Sequence, residues 1–222
     1  FPWLKKIYGA AQVLLPGDFY AGTLLGCLES LKGGVTTVCE HNFLNPEPEC
    51  AIESVRALRD SGIRAVFART IMDTGDIVPD CVKEKPEKAF KLIEALVSAA
   101  RKTSKEQNVE TLSFMTGANT PPINTPPNLP KKIRAFASAN SIGISAHVAE
   151  SAGILEYLAE NCNESGVIKY LQQFDVLGEN TIFAHCVHIS NEEIQLLKDS
   201  GTSVSHNPVS NMMLGDGVAP VC

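Results

Sequence analysis

Apolar positions along this chain alternate between two periods. From 18 to 32, DFYAGTLLGCLESLK, they recur at helical spacing behind Asp18, a residue type that caps helix starts, and Gly33-Gly34 ends the run. VTTVCE at 35–40 then reads as a β-branched strand. Asn45-Pro46 marks the start of the next helix, Gly62 its stop, and IRAVFARTIM at 63–72 the next strand. A charged and apolar helix follows over about 85–106, then a strand at 109–115. The five prolines of TGANTPPINTPPNLP, residues 116–130, exclude helix and central strand there, which leaves a functional loop or a spacer. Beyond it come a helix at 129–140, a strand at 142–148 and helical segments at 151–161 and 165–175. NTIFAHCV at 180–187 is a strand, 190–199 a helix with Ser190 and Glu193 in capping-box positions, and TSVSHN at 202–207 the last strand.

The order is therefore β then α, repeated about six times. Strands joined through helices of a dozen residues lie parallel, which gives an α/β fold. A doubly wound sheet and a (β/α)₈ barrel both satisfy that order. The chain has no GxGxxG or GxxxxGK[ST] loop of the kind that favours the first. A barrel would place its chemistry at the C-terminal ends of the strands. The polar residues collect there: Glu40-His41-Asn42, Asp73, His147 with Glu150 just beyond, His185, and His206-Asn207. Of the five histidines, only His188 lies past a strand end rather than on one.

Neutral imidazoles are good ligands for a divalent transition metal, and a catalytic site needs three or four His or carboxylate ligands with a position open to water. Glu150 is placed to move a proton between that water and a substrate, and His185 to donate a hydrogen bond to the group attacked. Each residue taken singly also has a plain structural role. A strand-end histidine is commonly a hydrogen-bonded core residue, Glu150 a carboxylate favoured by a helix dipole, and Asn207-Pro208 a turn. For His41 and His188 the structural role is the default reading.

Composition narrows the partners. The chain has 222 residues and a net charge of −6, which argues against nucleic acid or an anionic membrane surface. Apolar stretches are too short to span a bilayer, and no signal-peptide h-region follows the lysines near the start. The first residue is Phe1 rather than Met, so the natural N-terminus is expected upstream. The seven cysteines form no CxxC pair, which fits free thiols in a reducing cytoplasm better than a disulfide framework.

SAHVAES (145–151), FAHCVHIS (183–190) and VSHNPVSNMMLGDGVAPV (204–221) resemble the amidohydrolase superfamily, and GTLLGCLESLKGGVTTV (22–38) resembles the helix and second strand of the same branch. That branch holds 5-methylthioadenosine/S-adenosylhomocysteine deaminases, guanine and other aminohydrolases, and triazine chlorohydrolases. The resemblance implies a (β/α)₈ barrel of the metal-dependent hydrolase type with one divalent metal, Zn²⁺ first and Fe²⁺ as the alternative. By the same resemblance His147 is a metal ligand, Glu150 the proton shuttle, His185 the residue that polarises the attacked group, and His206 and Asn207 line the substrate pocket. The implied reaction is hydrolytic removal of an exocyclic amino group from a purine, pterin or triazine-like ring. A chlorohydrolase or amidase of the same branch, or a non-catalytic truncated barrel, are the alternatives. A small heterocyclic molecule is the expected partner, with a homo-oligomer as a further possibility.

The pattern also departs from the family. The first two metal ligands belong to an HxH motif, absent from this chain, and the Asp ligand after strand eight lies beyond GDGVAPV. Asp216 stands in the wrong segment to replace it. Residues 1–222 are thus expected to be one partial barrel domain, strands two to seven, without the first and eighth strands or the small β-domain. The segment alone is expected to bind no stoichiometric metal and to be inactive.

Overall fold

The computed structural model describes residues 2–76, 78–107 and 111–221. The chain divides into two compact units, Phe1–Met115 and Thr116–Cys222. Among the described residues six strands pair in chain order: β1 (Thr37–Asn42), β2 (Arg64–Ile71), β3 (Leu112–Ala118), β4 (Gly143–Val148), β5 (Thr181–His185) and β6 (Ser203–Ser205). A sheet whose strands follow the chain without reversal is what successive right-handed β-α-β crossovers produce in a barrel wall.

In the first unit, α1 (Pro2–Ala11) is a helix that the apolar pattern left unassigned. It buries Tyr8 and Ala11 against Met72, Val78 and Val82. The next helix, α2, runs Pro16–Lys32, so Asp18 acts from its first turn rather than before it. Its Oδ2 accepts the backbone N–H of Leu15 at 2.8 Å. Strand β1 (Thr37–Asn42) begins later than the β-branched run suggests, because Gly34, at φ +84°, still belongs to the turn that closes α2. Helix α3 (Pro48–Ser61) starts at the second of two nearby prolines, with Glu47 as its N-cap, and Asn45 is buried instead of capping. Cys50, Ala51, Ser54, Val55, Ala57 and Leu58 form its buried face, and Gly62 closes it at φ +72°. Strand β2 (Arg64–Ile71) runs parallel to β1, from Thr37 opposite Arg64 to Asn42 opposite Arg69. Its Arg69 is buried and meets Glu84 at 2.5 Å, which ties the segment before α4 (Pro86–Gln107) back to the strand. Among the described residues no helix is long and apolar enough to cross a membrane.

Strand β3 is Leu112–Ala118, further along than 109–115; positions 109 and 110 of that expectation lie outside the described residues. The strand runs on through Thr116-Gly117-Ala118 because the prolines begin only at 121. Gly117 permits it: a Cβ there would stand 1.6 Å from the Ser145 carbonyl oxygen, so only glycine lets the two backbones approach this closely.

The second unit continues with α5 (Leu129–Asn140), β4 (Gly143–Val148), α6 (Gly153–Cys162), α7 (Val167–Gln172) and β5 (Thr181–His185). Helix α8 (Asn191–Ser200), strand β6 (Ser203–Ser205) and helix α9 (Pro208–Leu214) complete it. Strand β4 pairs parallel with β5, Ile144 opposite Thr181 through Val148 opposite His185, and β5 pairs parallel with β6. Glu193 does more than the capping box requires. Its Oε2 accepts the Ser190 N–H at 3.0 Å, and its Oε1 accepts the Ile168 N–H at 2.8 Å, so one buried carboxylate serves the N-termini of both α8 and α7. Gly166, the N-cap of α7, makes room: a Cβ there would lie 2.3 Å from Glu193 Oε1.

Candidate functional site

The ends of β4 and β5 bring three of the expected residues together. His147 and His185 are the neighbouring strand-end histidines, with ring centroids 5.4 Å apart and planes tilted by 33°. Glu150 follows β4 on the loop and sets Oε1 3.5 Å from His185 Nε2, an ion-pair distance rather than a tight hydrogen bond. The backbone bends sharply to do this. Ala149, His185 and Cys186 have φ of +48°, +76° and +48°, conformations that L residues seldom adopt and that collect at functional sites. Ladder bonds continue past the strands and hold that bend. Cys186 donates its N–H to Val148 O at 2.9 Å, and Val187 and His188 both donate to Ala149 O at 3.0 Å.

Each ring is oriented by a different partner. His147 places Nδ1 3.2 Å from the carbonyl oxygen of Asn119, which also accepts the His147 backbone N–H at 3.0 Å. With Nδ1–H donated there, Nε2 carries the lone pair. Burial, and secondly the charge of His185, push His147 down to about 4, with the Asn119 carbonyl opposing; the ring is neutral at pH 7. His185 donates Nδ1–H to Oδ1 of Asn211 at 2.7 Å, both side chains being buried. Its Nε2 therefore faces the Glu150 carboxyl. Burial raises the Glu150 carboxyl above the usual carboxylate range, His185 opposes that, and the negative charge of Asp216 adds to it.

Sequence reasoning missed Asn119, Asn211 and the position of Asp216. Asn211 lies inside the quoted VSHNPVSN motif, and the start of α9 at Pro208 is the signal that would have turned it toward His185. His206 and Asn207 take no part in the contacts above. His206 is exposed beyond β6, and Asn207, the N-cap of α9, accepts the Ser205 hydroxyl at 2.9 Å. His188 holds the Asp216 carbonyl, with Nε2 2.7 Å from it.

The match to the amidohydrolase family spans residues 3–221. The chain belongs to the amidohydrolase family. It is 30% identical over 220 residues to the 5-methylthioadenosine/S-adenosylhomocysteine deaminase of Symbiobacterium thermophilum, covering 99% of this chain and 47% of that protein. The guanine deaminase of C. acetobutylicum, solved with guanine in its active site, superposes with a TM-score of 0.85 at 22% identity, over 100% of this chain and 51% of its own. An adenosine deaminase from Xanthomonas campestris, solved with bound zinc, superposes with a TM-score of 0.81 at 22% identity, over 99% and 46%. These structural likenesses establish the α/β barrel fold, of which six strands are present among the described residues. This amidohydrolase chain spans about half the length of the curated relatives it matches.

A metal is implied by the family. His147, neutral and with Nδ1 held by the Asn119 carbonyl, suits one ligand position. Among the described residues no group of three His, Cys, Asp or Glu side chains is placed to hold a metal ion. The chain's own residues thus fit one corner of such a site.

Proposed function

We propose that this amidohydrolase is the central part of a metal-dependent aminohydrolase. It replaces an exocyclic amino group on a purine, pterin or triazine-like ring with oxygen from water and releases ammonia. The observation that carries the reading is the His185–Glu150 pair, with Nε2 and Oε1 3.5 Å apart, beside a neutral His147. The deaminase names of its relatives support it.

A divalent metal, zinc in this reading, would supply when bound a water acidic enough to be hydroxide near neutral pH. The remaining chemistry belongs to the chain. Burial holds Glu150 protonated to a higher pH than an ordinary carboxyl, so it can give its proton to the ring nitrogen beside the attacked carbon. As a new C–O bond forms, the ring nitrogen gains that proton and Glu150 becomes a carboxylate. His185, fixed through Nδ1 by Asn211, presents Nε2 to the charge that develops on oxygen. The Glu150 carboxylate then takes the proton of the newly added hydroxyl and passes it to the amino group, so that the C–N bond breaks, the ring carbonyl forms and ammonia leaves. His206 and Asn207 are assigned to the wall of the substrate pocket.

The test is ammonia release from purines, pterins and triazines by the purified full-length protein loaded with zinc. Glu150→Gln should lower kcat by at least about 10³-fold, at the level expected for loss of a general acid–base. Release of ammonia from no ring, or undiminished activity in Glu150→Gln, would refute the reading.

A further inference from the structure

The segment after α9 lies against the residues that follow β5, and two hydrogen bonds and one close approach hold it there. Gly215 and Gly217 flank Asp216 at φ +73° and +117°. The Asp216 N–H donates to Asn211 O at 2.9 Å, and its own carbonyl accepts from His188 Nε2 at 2.7 Å. Gly217 packs against the same strand end, where a Cβ would lie 3.2 Å from Val187 Cγ1. Asp216 is thereby fixed by the residue that orients His185 and by the histidine that follows it. Its carboxylate is close enough for the charges of His185 and His188 to lower its pKa against the rise caused by burial, and for its own charge to act on Glu150. Yet Oδ2 of this carboxylate is shielded from solvent and accepts no hydrogen bond among the described residues.

A shielded carboxylate oxygen with no donor of its own, on a residue whose backbone N–H and carbonyl are both held, is an acceptor kept for something else. We propose that Asp216 is a specificity-determining residue, accepting an N–H or O–H donor of the substrate other than the amino group that leaves. The inference rests on the aminohydrolase reading and extends it: the preferred substrate carries a second donor, either a ring amino group or a ribose hydroxyl. A site built to accept such a donor discriminates against the analogue that lacks it, because the acceptor is then left buried and unpaired.

Two substrate pairs separate the sources of the donor. 2,6-Diaminopurine riboside against adenosine reports a ring amino group, and adenosine against 2′,3′-dideoxyadenosine reports the ribose diol. In the zinc-loaded full-length protein, one of these pairs should differ in kcat/KM by about tenfold or more in favour of the donor-bearing member. Asp216→Ala should collapse that ratio to within about threefold, with the loss appearing in KM more than in kcat. Asp216→Asn, which keeps the shape and one neutral acceptor, should fall between and serves in place of Asp216→Ala if that variant does not fold. Ratios near one in the unaltered protein, ratios unmoved by the substitutions, or an equal loss on every substrate would each overturn the proposal. If the unaltered protein releases ammonia from none of the four, the aminohydrolase reading fails separately. Calorimetric affinities for the same pairs then decide the role of Asp216: a donor-dependent preference that is lessened in Asp216→Asn sustains it, and no preference, an unchanged preference or no binding ends it.

Discussion

His185 Nδ1 and Asn211 Oδ1 stand 2.7 Å apart, with the two side chains 4% and 1% exposed. That contact fixes which nitrogen of His185 faces Glu150. Asn211→Ala should therefore leave the ring free to turn and lower kcat by about 10²-fold with a much smaller change in KM. Asn211→Asp keeps an acceptor at the same place and should retain activity to within about tenfold. Steady-state kinetics on the two variants checks this, and equal losses in both would show that Asn211 acts through packing alone.

Acid should destabilise the protein through His147. Its pKa falls from an ordinary 6.5 to about 4 in the folded state. The unfolded chain thus binds the extra proton between those values and the folded chain does not, so stability is complete above 6.5 and is lost as pH falls toward 4. The difference corresponds to at most about 3 kcal/mol. Glu150 works in the opposite direction: its raised pKa makes stability fall as pH rises from 4.5 through the folded value. Denaturant melts from pH 4 to 8 on the unaltered protein and on His147→Gln should show the rising slope near pH 5–6 only in the former.

The alternation of periods made the β-α order legible, and the histidines at the strand ends made the candidate site legible, because both follow from local spacing. His147 and His185 terminate β4 and β5 where the apolar run turns polar. What spacing could not show was which neighbours orient them. Asn119 reaches His147 by a backbone carbonyl, to which any residue type would contribute equally, and Asn211 reaches His185 from a helix read as a turn. The same limit moved the start of α3. Asn45-Pro46 and Glu47-Pro48 are equally good starts locally, and burial of Asn45 decides for the second.

Glu193 is the capping residue whose removal should be felt most. Its carboxylate accepts from Ile168, Lys169 and Ser190 backbone N–H groups while only 2% exposed. Glu193→Ala leaves those donors unsatisfied at two helix starts, and a loss of about 2–4 kcal/mol is expected. Glu193→Gln keeps one acceptor and should cost about half as much. Thermal denaturation of both variants would measure this, and a shift in Tm within error for Glu193→Ala would contradict it.

The ion pair of Arg69 and Glu84 gives the opposite lesson about burial. Arg69 is 2% exposed and Glu84 9%, with nitrogen and oxygen 2.5 Å apart. A second Arg69 nitrogen donates to Thr70 O. Burial lowers the Arg69 pKa and the adjacent Glu84 carboxylate opposes that fall, so each charge is tolerable because the other is there. Removing one partner strands the other. Arg69→Met alone should cost about 3–5 kcal/mol, whereas Arg69→Met with Glu84→Met should cost clearly less than the sum of the two single changes. A double-mutant cycle by urea unfolding provides the measurement. If the two losses simply add, the pair is not coupled, and the segment before α4 is held by Tyr8, Met72, Val78 and Val82 instead.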